Sequence, residues 1–266
     1  MPQRNLKLYF ANNPLLCNAL PVSRILWVKR RIMKKITYTI LAVILFIATG
    51  LKASAQSEET RQVSGFHALA SAGPFDVHVN INGTESLKIS ASSDILKEIE
   101  TVVEDGTLKI KFRHHHEWSE DHEGKIEVYV TARSLSSLVN SGSGSIKVQG
   151  VVAGEDVHVV LSGSGDIESS VKSGQLHATI SGSGSIHLNG SADNTKVVIS
   201  GSGEMMGKQL KTESASVVIS GSGNAYFSAD KTISAHIVGS GNVIYSGRAT
   251  VTDSKTIGSG SVSKED

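Results

Sequence analysis

Along the second half of the chain, short stretches alternate apolar residues with polar or β-branched ones. Leu176, Ala178 and Ile180 form one such stretch, and four others repeat its spacing. The corresponding positions elsewhere are Val157, Val159, Leu161; Thr195, Val197, Ile199; Ala215, Val217, Ile219; and Ile233, Ala235, Ile237. Alternation with a period of two is typical of a strand that buries one of its faces.

Each stretch ends in the tetrapeptide Ser-Gly-Ser-Gly or in a close variant of it. Full copies begin at Ser141, Ser162, Ser181, Ser200 and Ser220, and copies that lack only the first Ser begin at Val238 and Ile257. Successive copies start 21, 19, 19, 20, 18 and 19 residues apart. A period near 19 indicates a repeat architecture. A Gly-Ser linker has the same composition but would not alternate with strand patterns.

Each repeat therefore predicts a strand, a glycine corner, a shorter strand and a loop. One repeat buries too little apolar surface to fold alone, so successive repeats must stack. We expect an all-β fold, a single right-handed parallel β-helix whose rungs of about 19 residues pair in register about 4.8 Å apart. Phe227 and Tyr245 should share one interior column. Serines repeated at the corners should form hydrogen-bonded ladders.

The residues before the repeats, 56–134, predict irregular first rungs and a cap, and residues 135–266 carry the repeats. Turns are expected at Asn82-Gly83 and, in a hairpin, at 104–107, and one or two helical turns at 93–99. Expected strands are Phe75–Ile81, Leu87–Ser90, Leu108–Phe112 and Ile126–Val130. At the other end Thr252, Ser254 and Thr256 should replace inward aliphatic residues, so that polar groups protect the last strand edge.

The start of the chain has the layout of a secretory signal peptide. Residues 33–55 comprise the positive head Met33-Lys34-Lys35, an apolar run over 36–50 and small residues up to Ala55, with cleavage expected before Gln56. Residues 1–32 are interpreted as an upstream extension from a misassigned start. The alternative is an uncleaved membrane anchor formed by the same run. Cleavage would give an extracytoplasmic protein, in the periplasm, at the outer-membrane surface or in the medium.

Charge and cysteine content narrow the possible partners. The whole chain has a net charge of +1, but residues 1–55 contain nine basic and no acidic residues, so 56–266 contain 17 basic and 25 acidic ones, a net of −8. That balance argues against nucleic acid and anionic lipid as partners. Cys17 is the chain's one cysteine, which leaves the expected mature chain without disulfides or thiolate ligands.

The richest cluster of possible metal ligands is His114, His115, His116 and His122, accompanied by nearby carboxylates. Imidazoles and carboxylates can bind zinc or copper without cysteine. Adjacent residues of an extended chain point to opposite sides, however, and a polar loop between two strands is expected here in any case. We therefore predict no cofactor, and keep metal binding as an alternative.

No motif for catalysis stands out. The glycine corners lack the Lys-Ser/Thr and helix of a phosphate-binding loop, and no Gly-x-Ser-x-Gly elbow is present. Asp166 and Glu204 share one column but lie two rungs apart, about 10 Å. Outside the coil, His158, His177 and Lys196 share a polar column. A more apolar column, with Val160 and Val218, suits either strand propensity or a protein partner.

From Arg61 onward the chain resembles the family described as putative auto-transporter adhesin, head GIN domain. The resemblance rests on Arg61-x-Val63-x-Gly65-Phe66, Phe75-x-Val77-x-Val79, Glu104-Asp105-Gly106-x-Leu108 and Leu135-x-x-Leu138 leading into the Ser-Gly-Ser-Gly series. It implies a secreted right-handed parallel β-helix of unassigned biochemical role, with no catalytic residues to carry over.

These observations predict an exported, non-catalytic structural or binding module of the cell envelope, adhesin-like, whose partner is a surface glycan or protein. One alternative is an enzyme on envelope polysaccharide, which would require a groove with clustered acids and aromatic residues. The other is metal capture by the His-rich loop.

Overall fold

The computed structural model describes residues 56–113 and 124–265. Those ranges contain sixteen strands and one short helix. In chain order they are β1 (Ser57–Arg61), β2 (Ala68–Ala72), β3 (Phe75–Ile81), β4 (Ser86–Ala91), α1 (Ser93–Glu98), β5 (Ile99–Glu104), β6 (Thr107–Phe112), β7 (Ile126–Ala132), β8 (Ser137–Gly142), β9 (Ser145–Gly163), β10 (Asp166–Gly182), β11 (Ser185–Gly201), β12 (Glu204–Gly221), β13 (Asn224–Gly239), β14 (Asn242–Ser246), β15 (Thr250–Gly258) and β16 (Ser261–Lys264).

The repeats form a β-solenoid of about seven turns with rungs of about 19 residues, which confirms the predicted fold class. Equivalent strands pair in parallel, and equivalent residues of successive repeats lie opposite each other. For example, Ser181 lies opposite Ser200. The expected loop at the far side of each rung is part of the strand, because β9 to β13 run unbroken for 16 to 19 residues between glycine corners.

The interior of the coil is filled by columns of aliphatic side chains. One column holds Leu161, Ile180, Ile199, Ile219 and Ile237, all fully buried. Phe227 lies opposite Tyr245 in another, as predicted, and both are buried. Where the strands are regular, outward and buried positions alternate, so every second side chain lies on the outer surface.

The glycine corners bring successive backbones into direct contact. At Gly163 the carbonyl oxygen accepts hydrogen bonds from the N–H groups of Ser183 (3.0 Å) and Gly184 (3.2 Å) in the next rung. The first serines of the corners, such as Ser181, are exposed. A ladder of polar side chains is present four residues after the first residue of the last corners. There Asn242 Nδ2 donates to Asn224 Oδ1 (3.1 Å), and Ser261 Oγ donates to Asn242 Oδ1 (2.8 Å).

The first rungs are irregular, as expected, and antiparallel strands cover their end. β5 and β6 form the predicted hairpin, whose turn places Asp105 and Gly106 at positive φ. Helix α1 also forms and buries Ile95 and Leu96. The turn at Asn82–Gly83 does not close a hairpin, however, because β4 pairs antiparallel with β7 whereas β3 pairs parallel with β7.

At the last described rung, two of the three polar residues expected at inward positions occupy them. Ser254 and Thr256 lie opposite the buried Ala235 and Ile237. The assignment of Thr252 to an inward position was wrong, because β15 shifts its register there. Val251 lies opposite Ile233, and Thr252 instead donates its hydroxyl to the Ile233 carbonyl oxygen (3.2 Å).

Candidate functional site

An open groove of about 510 Å³ lies on the outer face of the strands that follow the glycine corners. It crosses four successive rungs, from β10 to β13. Its lining residues are Glu168, His187, Leu188, Asn189, Glu204, Met206, Lys208, Gln209 and Tyr226. Apart from the buried Leu188, these side chains occupy outward or half-exposed positions, so the surface that they form is accessible to a ligand.

The strand register aligns the floor of the groove. Glu168 lies opposite His187, His187 opposite Met206, and Met206 opposite Tyr226, so the four side chains form one outward column. Glu204 belongs to the neighbouring column, where it follows Ser185. Three rung spacings separate the ends of the column, which makes the groove roughly 14 Å long.

A bulge in β12 forms one wall of the groove. His187 pairs with Met206 but Asn189 pairs with Gln209, so this rung contains one extra residue relative to the rung before it. Lys208 and Gln209 are exposed in succession, which interrupts the alternation between Met205 and Leu210. The extra residue lifts this part of the chain above the flat face of the solenoid.

Tyr226 is the aromatic residue of the groove, and its surroundings keep the phenol protonated. Burial is the main cause of its raised pKa, and the negative charge of Glu204 and a hydrogen bond to that carboxylate add to it. The Lys208 ammonium lies 5.5 Å from the centre of the Tyr226 ring and also contacts Glu265 Oε1 at 2.6 Å. With two glutamates and one lysine that a third glutamate already binds, the lining is net negative.

The sequence identified only part of this site. Asp166 and Glu204 share a column with Ser185 between them, as predicted. Only Glu204 of that pair lines the groove; its partner carboxylate there is Glu168. The column that contains Glu168 and Tyr226 could have been found by following the sixth residue after each corner serine, because these residues share one register position. The bulge shows in the sequence only as the 20-residue spacing between Ser200 and Ser220, which does not locate the extra residue within the rung.

The second outward face holds the predicted polar column. The rings of His158 and His177 stack, with their centres 4.9 Å apart and 11° between their planes, and Lys196 follows in the register. In the ranges that the structure describes, no group of three or more His, Cys, Asp or Glu side chains is arranged to hold a metal ion. The two imidazole rings and Lys196 form a polar strip along this face.

The more apolar column of the same face is also present. Val160, Thr179 and Val198 are half-buried, and Val218 is 40% exposed. In the adjoining column, where earlier rungs carry serine, Val238 and Ile257 are 54% and 58% exposed. The rest of this face is polar, since His236 and Lys255 continue the column of Val218 and serines precede Val238 in its column.

Two sets of predicted residues lie outside the described ranges. The possible metal ligands His114, His115, His116 and His122 belong to the first set, and the signal segment 33–55 forms the second. Both assignments, and the boundaries at 32, 55 and 134, remain predictions. Among the residues whose structure is described, no helix is long and apolar enough to cross a membrane.

Comparison with known proteins relates the chain to one family and one fold. The family model described as "Putative auto-transporter adhesin, head GIN domain" matches residues 65–249. Similar solved structures include a putative adhesin from Bacteroides fragilis (TM-score 0.72, 17% identity) and another from Parabacteroides merdae (0.63, 22%). A putative lipid binding protein from Parabacteroides distasonis is also similar (0.65, 20%). Each alignment covers 80% of this chain and 98% of the other. No curated protein matches.

Proposed function

Because this chain belongs to the putative auto-transporter adhesin, head GIN domain family, we propose that it is an exported, non-catalytic binding module of the cell envelope. The observation that carries this proposal is the groove on the outer face of β10 to β13, where polar side chains and a tyrosine converge. Concave sites with a few converging polar groups are where proteins bind ligands.

The architecture suits a module that presents a fixed surface. The strands under the groove are paired on both sides through long parallel registers, so its side chains project from a stiff support. A rigid site loses little conformational entropy when a ligand binds. The proposed partner is a surface glycan or protein, and the net charge of −8 over residues 56–266 argues against nucleic acid and anionic lipid.

Binding to envelope material tests this proposal directly. The full chain, expressed and exported in cells, should bind to outer-membrane, wall and surface-polysaccharide fractions in a saturable way, and Glu204→Gln should weaken that binding. The matched control is Glu127→Gln, since Glu127 occupies the same outward column several rungs away and accepts a hydrogen bond from Tyr129 (2.8 Å). Absence of saturable binding to every fraction would refute the binding role.

Export is tested by the mass of the protein recovered from native cells. A chain that starts at Gln56 and is found in the periplasm, on the surface or in the medium would agree with cleavage after Ala55. A chain that retains residues 33–55 and stays in the membrane fraction would show instead that this segment anchors it, and that membrane contact occurs through it.

The groove also gives one specific observation in favour of a second function. An enzyme on envelope polysaccharide requires carboxylates beside a sugar-binding groove, and Glu168, Glu204 and Tyr226 line this one. Release of new reducing ends from isolated polysaccharide, abolished by Glu204→Gln and retained by Glu127→Gln, would establish catalysis. Metal capture by His114, His115, His116 and His122 is tested separately, by calorimetry with zinc or copper.

A further inference from the structure

We infer that the groove binds an uncharged, hydroxyl-rich segment of a carbohydrate chain, held by Glu168, His187, Asn189, Glu204, Gln209 and Tyr226. This inference rests on the proposed binding function and names the chemical class of its ligand. In this groove a cavity and several converging polar side chains coincide.

The lining matches the hydrogen-bonding chemistry of sugar hydroxyls. A hydroxyl both donates and accepts, so it needs acceptors and donors side by side. The two carboxylates offer acceptors, the amides of Asn189 and Gln209 offer both kinds of group, and His187 can supply either. Tyr226 and Met206 add the apolar surface that the C–H groups of a sugar ring require.

The backbone beneath the groove argues against an extended peptide. Peptides that add a strand need an unpaired sheet edge. Here β11 pairs with β10 on one side and with β12 on the other, and β12 pairs in turn with β13. A ligand must therefore be recognised by side chains alone. A helical peptide would require a continuous apolar groove, whereas the apolar surface of Met206 and Tyr226 is interrupted here by charged and amide side chains.

Charge further narrows the class of carbohydrate. Glu168 and Glu204 face the groove, and Lys208, its one lysine, is already bound by Glu265. A polysaccharide rich in uronic acid, sulfate or phosphate groups would be repelled by the two carboxylates. The volume of about 510 Å³ falls within the roughly 300–1,000 Å³ that is usual for small-ligand sites.

The test is calorimetric titration of the full chain with neutral tetrasaccharides of glucose, mannose, galactose and N-acetylglucosamine, and with a uronic-acid tetrasaccharide. We expect at least one neutral tetrasaccharide to bind, and the charged one not to bind. Glu204→Gln and Tyr226→Ala should each weaken binding about tenfold. The control variants Glu127→Gln and Tyr129→Ala alter a similar Tyr–Glu pair on the same columns outside the groove, and should leave affinity unchanged.

The two proposals fail in distinguishable ways. If the chain binds envelope fractions but no neutral tetrasaccharide, or if the groove variants bind as well as the control variants, the carbohydrate inference is overturned and the binding module stands. Binding of the charged tetrasaccharide alone, or of extended peptides alone, also overturns it. If the full chain binds no envelope fraction either, the proposed function fails as well.

Discussion

At the scale of single residues, the glycine corners show most clearly why this sequence has its repeat. Gly182 has a φ of +125°, and a Cβ placed there would lie 2.3 Å from the carbonyl oxygen of Gly163 in the rung before. Backbone that is hydrogen-bonded in a stacked rung cannot move aside. Stacking of glycine on glycine is therefore a steric requirement at this column of the corner.

We predict that Gly182→Ala lowers the free energy of unfolding by about 2–4 kcal/mol, from backbone strain and overpacking together. Gly174→Ala in the same strand is the matched control. The added methyl group there would meet only the Glu155 carboxylate, which belongs to an exposed and movable side chain, so the change should stay within about 1 kcal/mol. Equal losses in denaturant unfolding of the two variants would refute the steric account.

Tyr226 gives a second prediction at this scale, one that depends on pH. Burial and Glu204 raise its pKa above the ordinary value of 10, so it favours folding below pH 10 and loses that contribution as pH rises through its own higher pKa. The tyrosinate absorbance lost in Tyr226→Phe should titrate above pH 10, and Glu204→Gln should move it towards 10. A Tyr226 signal that titrates at 10 in the unaltered chain would contradict this description of the groove.

At the scale of elements, the shape of the groove depends on a bulge in β12, which has one residue more than β11 there and three more than β13 between Gly207 and Lys211. Without Lys208, the residues from Met205 to Leu210 would alternate strictly between buried and exposed, and the rung would match the 19-residue spacing of the one before it. The bulge therefore contributes little to the core, and its effect is on the outer surface.

We predict that deletion of Lys208 leaves the free energy of unfolding within about 1 kcal/mol of its original value, since the ion pair with Glu265 is exposed and contributes little. Binding to envelope fractions should fall about tenfold, because the backbone of Gln209 would return to the plane of the sheet and the bulge would be lost. Unchanged binding in the deletion variant would show that the bulge does not shape the binding site.

The interior columns provide a second element-scale feature, and Phe227 is one of the largest fully buried side chains in them. It lies opposite Gly207 in the preceding rung and is 1% exposed. Phe227→Ala should cost about 3–5 kcal/mol of unfolding free energy by opening a cavity. Val238→Ala, at a position 54% exposed, should cost less than about 0.5 kcal/mol. The two values come from the same denaturant experiment, and similar costs would contradict the assignment of inward and outward faces.

The repeated sequence pattern explains which parts of the fold and of the groove could be predicted. Alternation in stretches such as 176–180 determined which side chains face inward, and the copies of the tetrapeptide determined the register, so the solenoid and the Phe227–Tyr245 column were predictable. The shift at Thr252 and the bulge at Lys208 were not, because a strand can place an extra residue at several points of a rung at similar cost. The groove was missed for that reason, although Glu204, which lies in it, was singled out from the sequence.

At the scale of the whole molecule, the solenoid separates stability from function. Inward columns and glycine corners hold the rungs together, while each outward position can vary without disturbing its neighbours. One outer face holds the groove around Met206, and another holds the exposed aliphatic side chains of Val238 and Ile257. We propose that the face with the groove is the one that contacts envelope material.

The most direct measurement is photo-crosslinking in native cells. A photoreactive phenylalanine analogue would replace Met206, which is 37% exposed in the groove, or Val238 on the other face. We predict a crosslinked product of increased mass from position 206, containing carbohydrate, and none from position 238. Products from position 238 alone would contradict this proposal and would place the contact on the face that contains Val238.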